Sequence, residues 1–397
     1  MSTLSVFREG FSPRYQDILN KTLIGMKFAN TRLESELTQG KKCHRTIADF
    51  SDTYVRDVVR YADRAIGSLG DSDEYIEIDK QKAVDFKIDD WDKLQNGPRR
   101  IGELAGKQCA MKLRRYIDAD ILYQTINAAD SFDDGDIAGT PGNGITLTTT
   151  NLAQVISEAQ AKLLANNVDD NGDLGFAFDP YVGSIINQTL IGKNIALTDL
   201  TFKNGYTGPI VGFQGYVSNN LTFTGTLTIS DQVSESDTVT INGVVFTFNA
   251  TPSGAGSVDI GGDAQGSLDN LILAINGGAV GTTYIALSDA DRLILTNSRV
   301  VAVKSGTTKI LITATGAGRI SCTEVLTHAN NIWSKKMIHC PIGRMKQIDV
   351  VIQQDVKADL RPEPRQKTVN VLTDALYGMK VFSDGAANFF DLQIAVS

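Results

Sequence analysis

Nowhere in the 397 residues is there a run of roughly 18 uncharged apolar residues, so no membrane-crossing helix is expected. The start, Met1 to Glu9, has no basic segment followed by an apolar stretch, so no secretory signal is expected and synthesis should be cytoplasmic. Cysteine is scarce. Cys43, Cys109, Cys322 and Cys340 lie far apart with no Cys-x-x-Cys pair, which suits reduced thiols better than a disulfide framework. The neighbours Cys43-His44 and His339-Cys340 lack the two- to four-residue gap of zinc ligands, so each reads as a thiol beside a polar ring. His44, His328 and His339 are the only histidines, and none stands in a catalytic spacing. Positive charge is also short: 38 Lys and Arg against 46 Asp and Glu give a net charge of −8, which argues against a protein whose main task is gripping nucleic acid. The glycine-rich stretches 139–144 and 256–262 lack a preceding strand or a following Lys-Ser/Thr, so they read as turns and not phosphate loops. The acidic cluster Asp130, Asp133, Asp134 and Asp136 departs from calcium-loop spacing and reads as a solvated loop. No catalytic residue, cofactor or metal ligand is assigned, and no enzyme is expected.

What is present is a 42% hydrophobic, 21% charged chain, the ordinary globular mix, long enough for two or three domains. Residues 1–45 are polar with short apolar clusters and read as an arm. Between Thr46 and Asp79, helical and strand periodicities compete and the residues alone leave both open. Tyr75–Asp79 and Ala83–Asp89 alternate apolar with charged residues, as half-buried strands do. Pro98 opens a long amphipathic helix to about Ala128, in which Ile101, Ala105, Cys109, Leu113, Ile117 and Ile121 recur every four residues. An exposed loop over Asp130–Asn143 precedes a helix led by Asn151, a strand at Leu174–Phe178 and a helix from Pro180.

Composition shifts over 222–322: Met, Trp and His vanish, and strand signals dominate. Val239-Thr240-Ile241-Asn242-Gly243-Val244-Val245-Phe246 spells a two-residue hairpin whose register sets Ile241 against Val244 and Val239 against Phe246. A helix carrying Leu268, Leu271, Ile272 and Ile275 stops at Gly277-Gly278. Further strands are expected at Thr283–Leu287, Arg292–Thr296, Val300–Lys304 and Lys309–Thr315. Because the earlier style returns after Cys322, the stretch is expected to be an autonomous β-rich domain inserted into another, displayed outward; the alternative is that its strands extend the host's own sheet.

Three segments carry a resemblance: Glu74–Lys82 continuing through Phe86–Gln95 into the long helix, Gly212-Phe213-Gln214-Gly215-Tyr216-Val217-Ser218-Asn219-Asn220-Leu221, and Leu376-Tyr377-Gly378-Met379-Lys380-Val381-Phe382. In this order they resemble the major capsid proteins of tailed bacteriophages. The resemblance implies an α+β Hong Kong 97-like fold: N-terminal arm 1–45, extended E-loop 46–80, P-domain 81–135 and 335–397 with its spine helix, A-domain 136–221 and 323–334, and the insert 222–322. It implies a shell of hexamers and pentamers around double-stranded DNA, with portal and separate scaffolding or decoration proteins as partners and assembly in the host cytoplasm. An encapsulin-like shell is the alternative. Under this resemblance Arg56, Asp57, Arg60, Arg64, Asp71 and Glu74 are candidate subunit-interface residues. Some relatives crosslink an E-loop Lys to a neighbour's Asn; residues 46–79 contain no Lys, so non-covalent particles are expected. With the arm beginning close to Met1, any scaffold is expected to be a separate protein.

Overall fold

The computed structural model describes residues 23–35, 40–49, 60, 70–89, 101–168, 172–192, 206–210, 212–278, 281–363 and 368–396. In chain order, a one-turn helix α1 (Gly25–Phe28) runs into a short strand β1 (Ala29–Asn30), followed by β2 (Lys42–Asp49), β3 (Gly70–Glu77) and β4 (Lys80–Asp89). The long helix α2 spans Ile101–Tyr123 and tightens into a 3-10 turn at Gln124–Asn127. Cys109, Leu113, Ile117 and Ile121 of its expected stripe are buried, while Lys112 and Arg114 face out. Next come β5 (Asp130–Phe132), α3 (Leu152–Ala165), β6 (Leu174–Phe178), α4 (Pro180–Gly192), β7 (Tyr206–Ile210) and β8 (Phe213–Val217). The later part holds β9 (Thr222–Thr228), β10 (Thr238–Ile241), β11 (Val244–Asn249), β12 (Ser257–Asp259), α5 (Ala264–Asn276), α6 (Asp289–Asn297), β13 (Val300–Ser305), β14 (Lys309–Ala314) and β15 (Cys322–Val325). The chain closes with β16 (Ile332–Arg344), β17 (Ile348–Glu363), β18 (Thr368–Lys380), α7 (Ser383–Ala386) and β19 (Phe389–Ala395).

Among the described residues, four sheets organise these elements. One, ordered β1-β17-β18-β4, is backed by α2. The largest runs β13-β14-β9-β16-β6-β8-β7, with β19 pairing both β16 and β5. A third, β12-β11-β10-β15, belongs to the later part, and among the described residues β2 pairs with β3 alone. The Asn242-Gly243 turn has φ of 51° and 84°, the positive values its two-residue loop requires, and the register Ile241↔Val244, Val239↔Phe246 is the expected one. Gly277, at φ 70°, closes α5, and the Gly278 N–H returns to the Leu273 carbonyl at 2.9 Å.

Three expectations need correction. Arg292–Thr296 is not a strand but lies in α6, because Ser288 caps it: its Oγ accepts from the Asp291 N–H at 3.1 Å. The short run Leu293-Ile294-Leu295 fits either period, and only Leu295 is buried. Thr283–Leu287 makes one isolated bridge, Tyr284 to Val258, instead of a strand. The acidic stretch after Asn127 is not wholly exposed loop, since β5 pairs in parallel with β19 and buries Phe132. Lys162 Nζ sits 2.9 Å from Asp130 and 3.0 Å from Asp136, so a side chain of the protein supplies the counter-charge there.

Residues 222–322 divide between two sheets. β10, β11, β12 and β15 form their own, whereas β9, β13 and β14 continue the largest sheet, with β9 paired to β16 from Ile332↔Thr228 to His339↔Thr222. The apolar side chains of both parts join one cluster, from Phe246 and Leu268 through Phe223 to Ile338 and Phe390. The strands of this stretch are thus shared between a smaller sheet of their own, with α5 and α6, and the largest sheet.

Candidate assembly interface

The β2–β3 hairpin forms no hydrogen-bonded ladder with another strand among the described residues, and a lone two-stranded ribbon is marginal in water. Its base is therefore held by side chains. Ile76 and Ile78 pack with Val351 and Phe382 in a small core separate from the main one, and Ile76, Val351 and Phe382 are fully buried. Around it, Arg45 reaches Asp384 with both guanidinium nitrogens, at 3.2 and 2.5 Å, and lies 5.1 Å from the Phe382 ring. Glu74 accepts from the Ser383 N–H at 3.3 Å and sits 3.6 Å from Lys380. Hydrogen bonds from Ser383, then the Lys380 charge, hold its carboxyl below the usual range. Lys41, 2.6 Å away, likewise lowers Glu77, and Glu77 in turn raises Lys41. At Gly378 a Cβ would overlap the Glu77 carbonyl oxygen, so only glycine lets the hairpin base cross β18 this closely.

Two buried aspartates on α2 tie the distant parts to this frame. Asp118 accepts from the Gly25 N–H and from Asn220 Nδ2, both at 2.6 Å, fixing α1 on one side and the Ser-Asn segment on the other. Asp120, 3% exposed, accepts from the Tyr377 hydroxyl at 2.7 Å and from Arg299, with Lys80 at 3.4 Å. Burial and the Asp120 charge push the Tyr377 phenol upward. Arg299, at φ 49°, lies 3.6 Å over the Tyr116 ring. Asp179 performs a similar task, capping α4 through the Val182 N–H at 3.1 Å and pairing with Arg319 at 2.6 Å.

Of the predicted interface residues, Glu74 lies at the hairpin base and engages Lys380 and Ser383 within the subunit. Asp71 is exposed on β3 opposite Ala48, and Arg60 is exposed in a turn. Arg56, Asp57 and Arg64 lie outside the described residues. Sequence reading missed Asp118, Asp120 and Asp179; the available signal was two acids, Asp118 and Asp120, inside the most apolar stretch of α2.

Other chemistry is sparse. His339 Nδ1 is 2.6 Å from Asp391 and its Nε2 is 2.8 Å from Thr224 Oγ1, the connectivity of an acyl-transfer triad, but all three residues are buried, at 5%, 4% and 7% exposure. It acts as a brace across β9, β16 and β19. No disulfide forms, and burial pushes the Cys322 thiol up to about 12 and Cys340 well above its ordinary value. Among the described residues no group of metal-ligating side chains gathers, and no helix is long and apolar enough to cross a membrane.

No protein-family model and no curated protein matches this sequence. Solved structures do match. A structure from Mycobacterium phage Che8 aligns with TM-score 0.54 at 12% identity, covering 98% of this chain and 97% of the other. The capsid structure of cyanophage P-SCSP1u gives TM-score 0.54 at 12% identity, over 99% and 94%. The asymmetric unit of the mature capsid of bacteriophage PhiM1 gives 0.50 at 11%, over 98% and 91%. The matches run over almost the whole length of each chain, and this chain has the Hong Kong 97-like fold of phage capsid structures.

Proposed function

We propose that this chain is the major capsid protein of a tailed bacteriophage, a structural protein that assembles as hexamers and pentamers into an icosahedral shell around double-stranded DNA. The observation that carries this reading is the end-to-end match to the P-SCSP1u and PhiM1 capsid structures, with more than nine-tenths of each chain covered on both sides. The hairpin adds to it: a two-stranded ribbon that, among the described residues, is braced at its base and pairs with no further strand gains stability when a neighbouring subunit covers it. In this reading 46–80 is the E-loop, α2 the spine helix, and residues Arg56, Asp57, Arg60, Arg64 and Asp71 meet neighbours, while Glu74 orients the loop from within. The part of 222–322 built on β10, β11, β12 and β15 stands on the outer face, with β9, β13 and β14 rooting it in the host sheet. A net charge of −8 suits a container that must release its genome, because like-charge repulsion limits sticking over most of its surface. Partners are copies of the chain, a portal and, where used, a separate scaffolding or decoration protein; assembly takes place in the host cytoplasm, and no catalytic step is involved.

Sedimentation velocity of the purified full-length chain, alone and with its phage partners, tests this. Particles far heavier than a 42.9 kDa monomer are expected, and a strictly monomeric species under every condition would refute it. An encapsulin-like shell predicts small particles loaded with a cargo protein and free of genomic DNA.

A further inference from the structure

A second feature lies along α2, built from residues that the hairpin base does not use. A groove of about 470 Å³ opens between α2, β4 and the end of α6, lined by Lys82, Lys112, Arg115, Tyr116 and Arg299, with no carboxylate among its described lining residues. This is unusual in a chain whose acids outnumber its bases. Arg299 is offset by Asp120, so it serves as structure. Lys82 and Lys112 are different. Neither has a carboxylate partner among the described residues; Lys82 Nζ rests 5.3 Å from the Tyr116 centroid, and Lys112 is exposed on α2. Two ammonium groups with no carboxylate partner among the described residues, lining one concave space, create a positive potential that attracts an anion.

The geometry points to a binding site for phosphate-bearing anions in this groove, with Lys82 and Lys112 as its charged contacts. Ammonium groups act on phosphate as point charges, and the volume admits more than one phosphate. Tyr116 is the one aromatic among the described lining residues, and Arg299 already lies 3.6 Å over its ring, so the site offers little for a base to stack on. The site therefore recognises the phosphate itself, without regard to sequence. Free polyphosphates and the backbone of nucleic acid share this chemistry. The inference does not depend on the shell reading, and either can fail alone.

The test uses the purified full-length chain at low salt with three probes: inorganic tripolyphosphate, a 12-base-pair DNA duplex and a heptaglutamate peptide. Binding is read by calorimetry and by protection of individual lysines from acetylation. Tripolyphosphate should protect Lys82 and Lys112 several-fold and leave Lys309, exposed on β14, unchanged. Similar protection by the duplex assigns the backbone as a source; protection by tripolyphosphate alone assigns the free anion. Lys82→Gln with Lys112→Gln should weaken binding at least tenfold and, for the duplex, reduce the slope of log K against log salt by about 2. Lys309→Gln should change neither. Absence of protection by both phosphate probes, or equal protection by heptaglutamate, would overturn the proposal. Particle formation by the double variant reports separately on the shell reading.

Discussion

Asp120 receives Tyr377, Arg299 and Lys80 in one buried place, so its loss leaves a phenol without an acceptor and two cations without their counter-charge. Asp120→Ala should destabilise the chain by about 3 kcal/mol, at the low end for a broken buried pair because Arg299 and Lys80 are 23% and 26% exposed. Tyr377→Phe, which removes one hydrogen bond, should cost about 1 kcal/mol. Urea unfolding of the three proteins checks the order. Asp349 makes a different prediction. It lines a polar cavity of about 340 Å³ beside Arg45 and Asp384, and Asn30 Nδ2 donates to it at 2.9 Å. Burial, chiefly, pushes its carboxyl from 3.8 up to about 6. The folded state then holds that proton more tightly than the unfolded chain. Its stabilisation is complete below about pH 3.8 and is lost as pH rises through about 6. Asp349→Asn should remove this slope. Measured as wild type minus variant, stability should fall by on the order of 2–3 kcal/mol between pH 4 and pH 7, and a flat difference would contradict the assignment.

At the scale of elements, the hairpin base depends more on its small apolar core than on its surface charges. Phe382→Ala should cost about 3–5 kcal/mol and speed hydrogen exchange in β2 and β3. Arg45→Ala, breaking a pair 38% and 45% exposed, should cost less than about 1 kcal/mol. The reverse order would mean that ion pairs hold the loop. Much of this level was legible in the residues. The Asn242-Gly243 turn fixed both hairpin register and positive φ, and the four-residue recurrence of Cys109, Leu113, Ile117 and Ile121 gave the buried face of α2. The Tyr-Gly and Ser-Asn resemblances prove to have physical content, since Gly378 admits the Glu77 carbonyl and Asn220 reaches Asp118. What was hidden lay in partners far apart in the chain. Nothing near Asp120 in sequence announces Arg299 or Tyr377, and α6 was misread because a short apolar run fits two periods until its Ser288 cap is weighed.

For the whole molecule, the shared sheet changes what excision should do. A fragment of 222–322 loses the β9–β16 pairing and exposes Phe223 and Leu227, both fully buried in the intact chain. It should lack a cooperative melt or aggregate; a soluble, cooperatively melting fragment would restore the picture of an autonomous insert. Shells should also be held without covalent links, because residues 46–79 offer Arg56, Arg60 and Arg64 but no lysine for an amide crosslink, so denaturing gels of mature particles should show one monomer band and no ladder. The central claim is closed assembly, and electron microscopy of the purified full-length chain, with its phage partners supplied where needed, tests it most directly. Closed shells with six-fold and five-fold clusters, each hairpin lying over a neighbouring subunit, are the predicted result. Monomers, or open filaments in which the hairpin touches no neighbour, would contradict it.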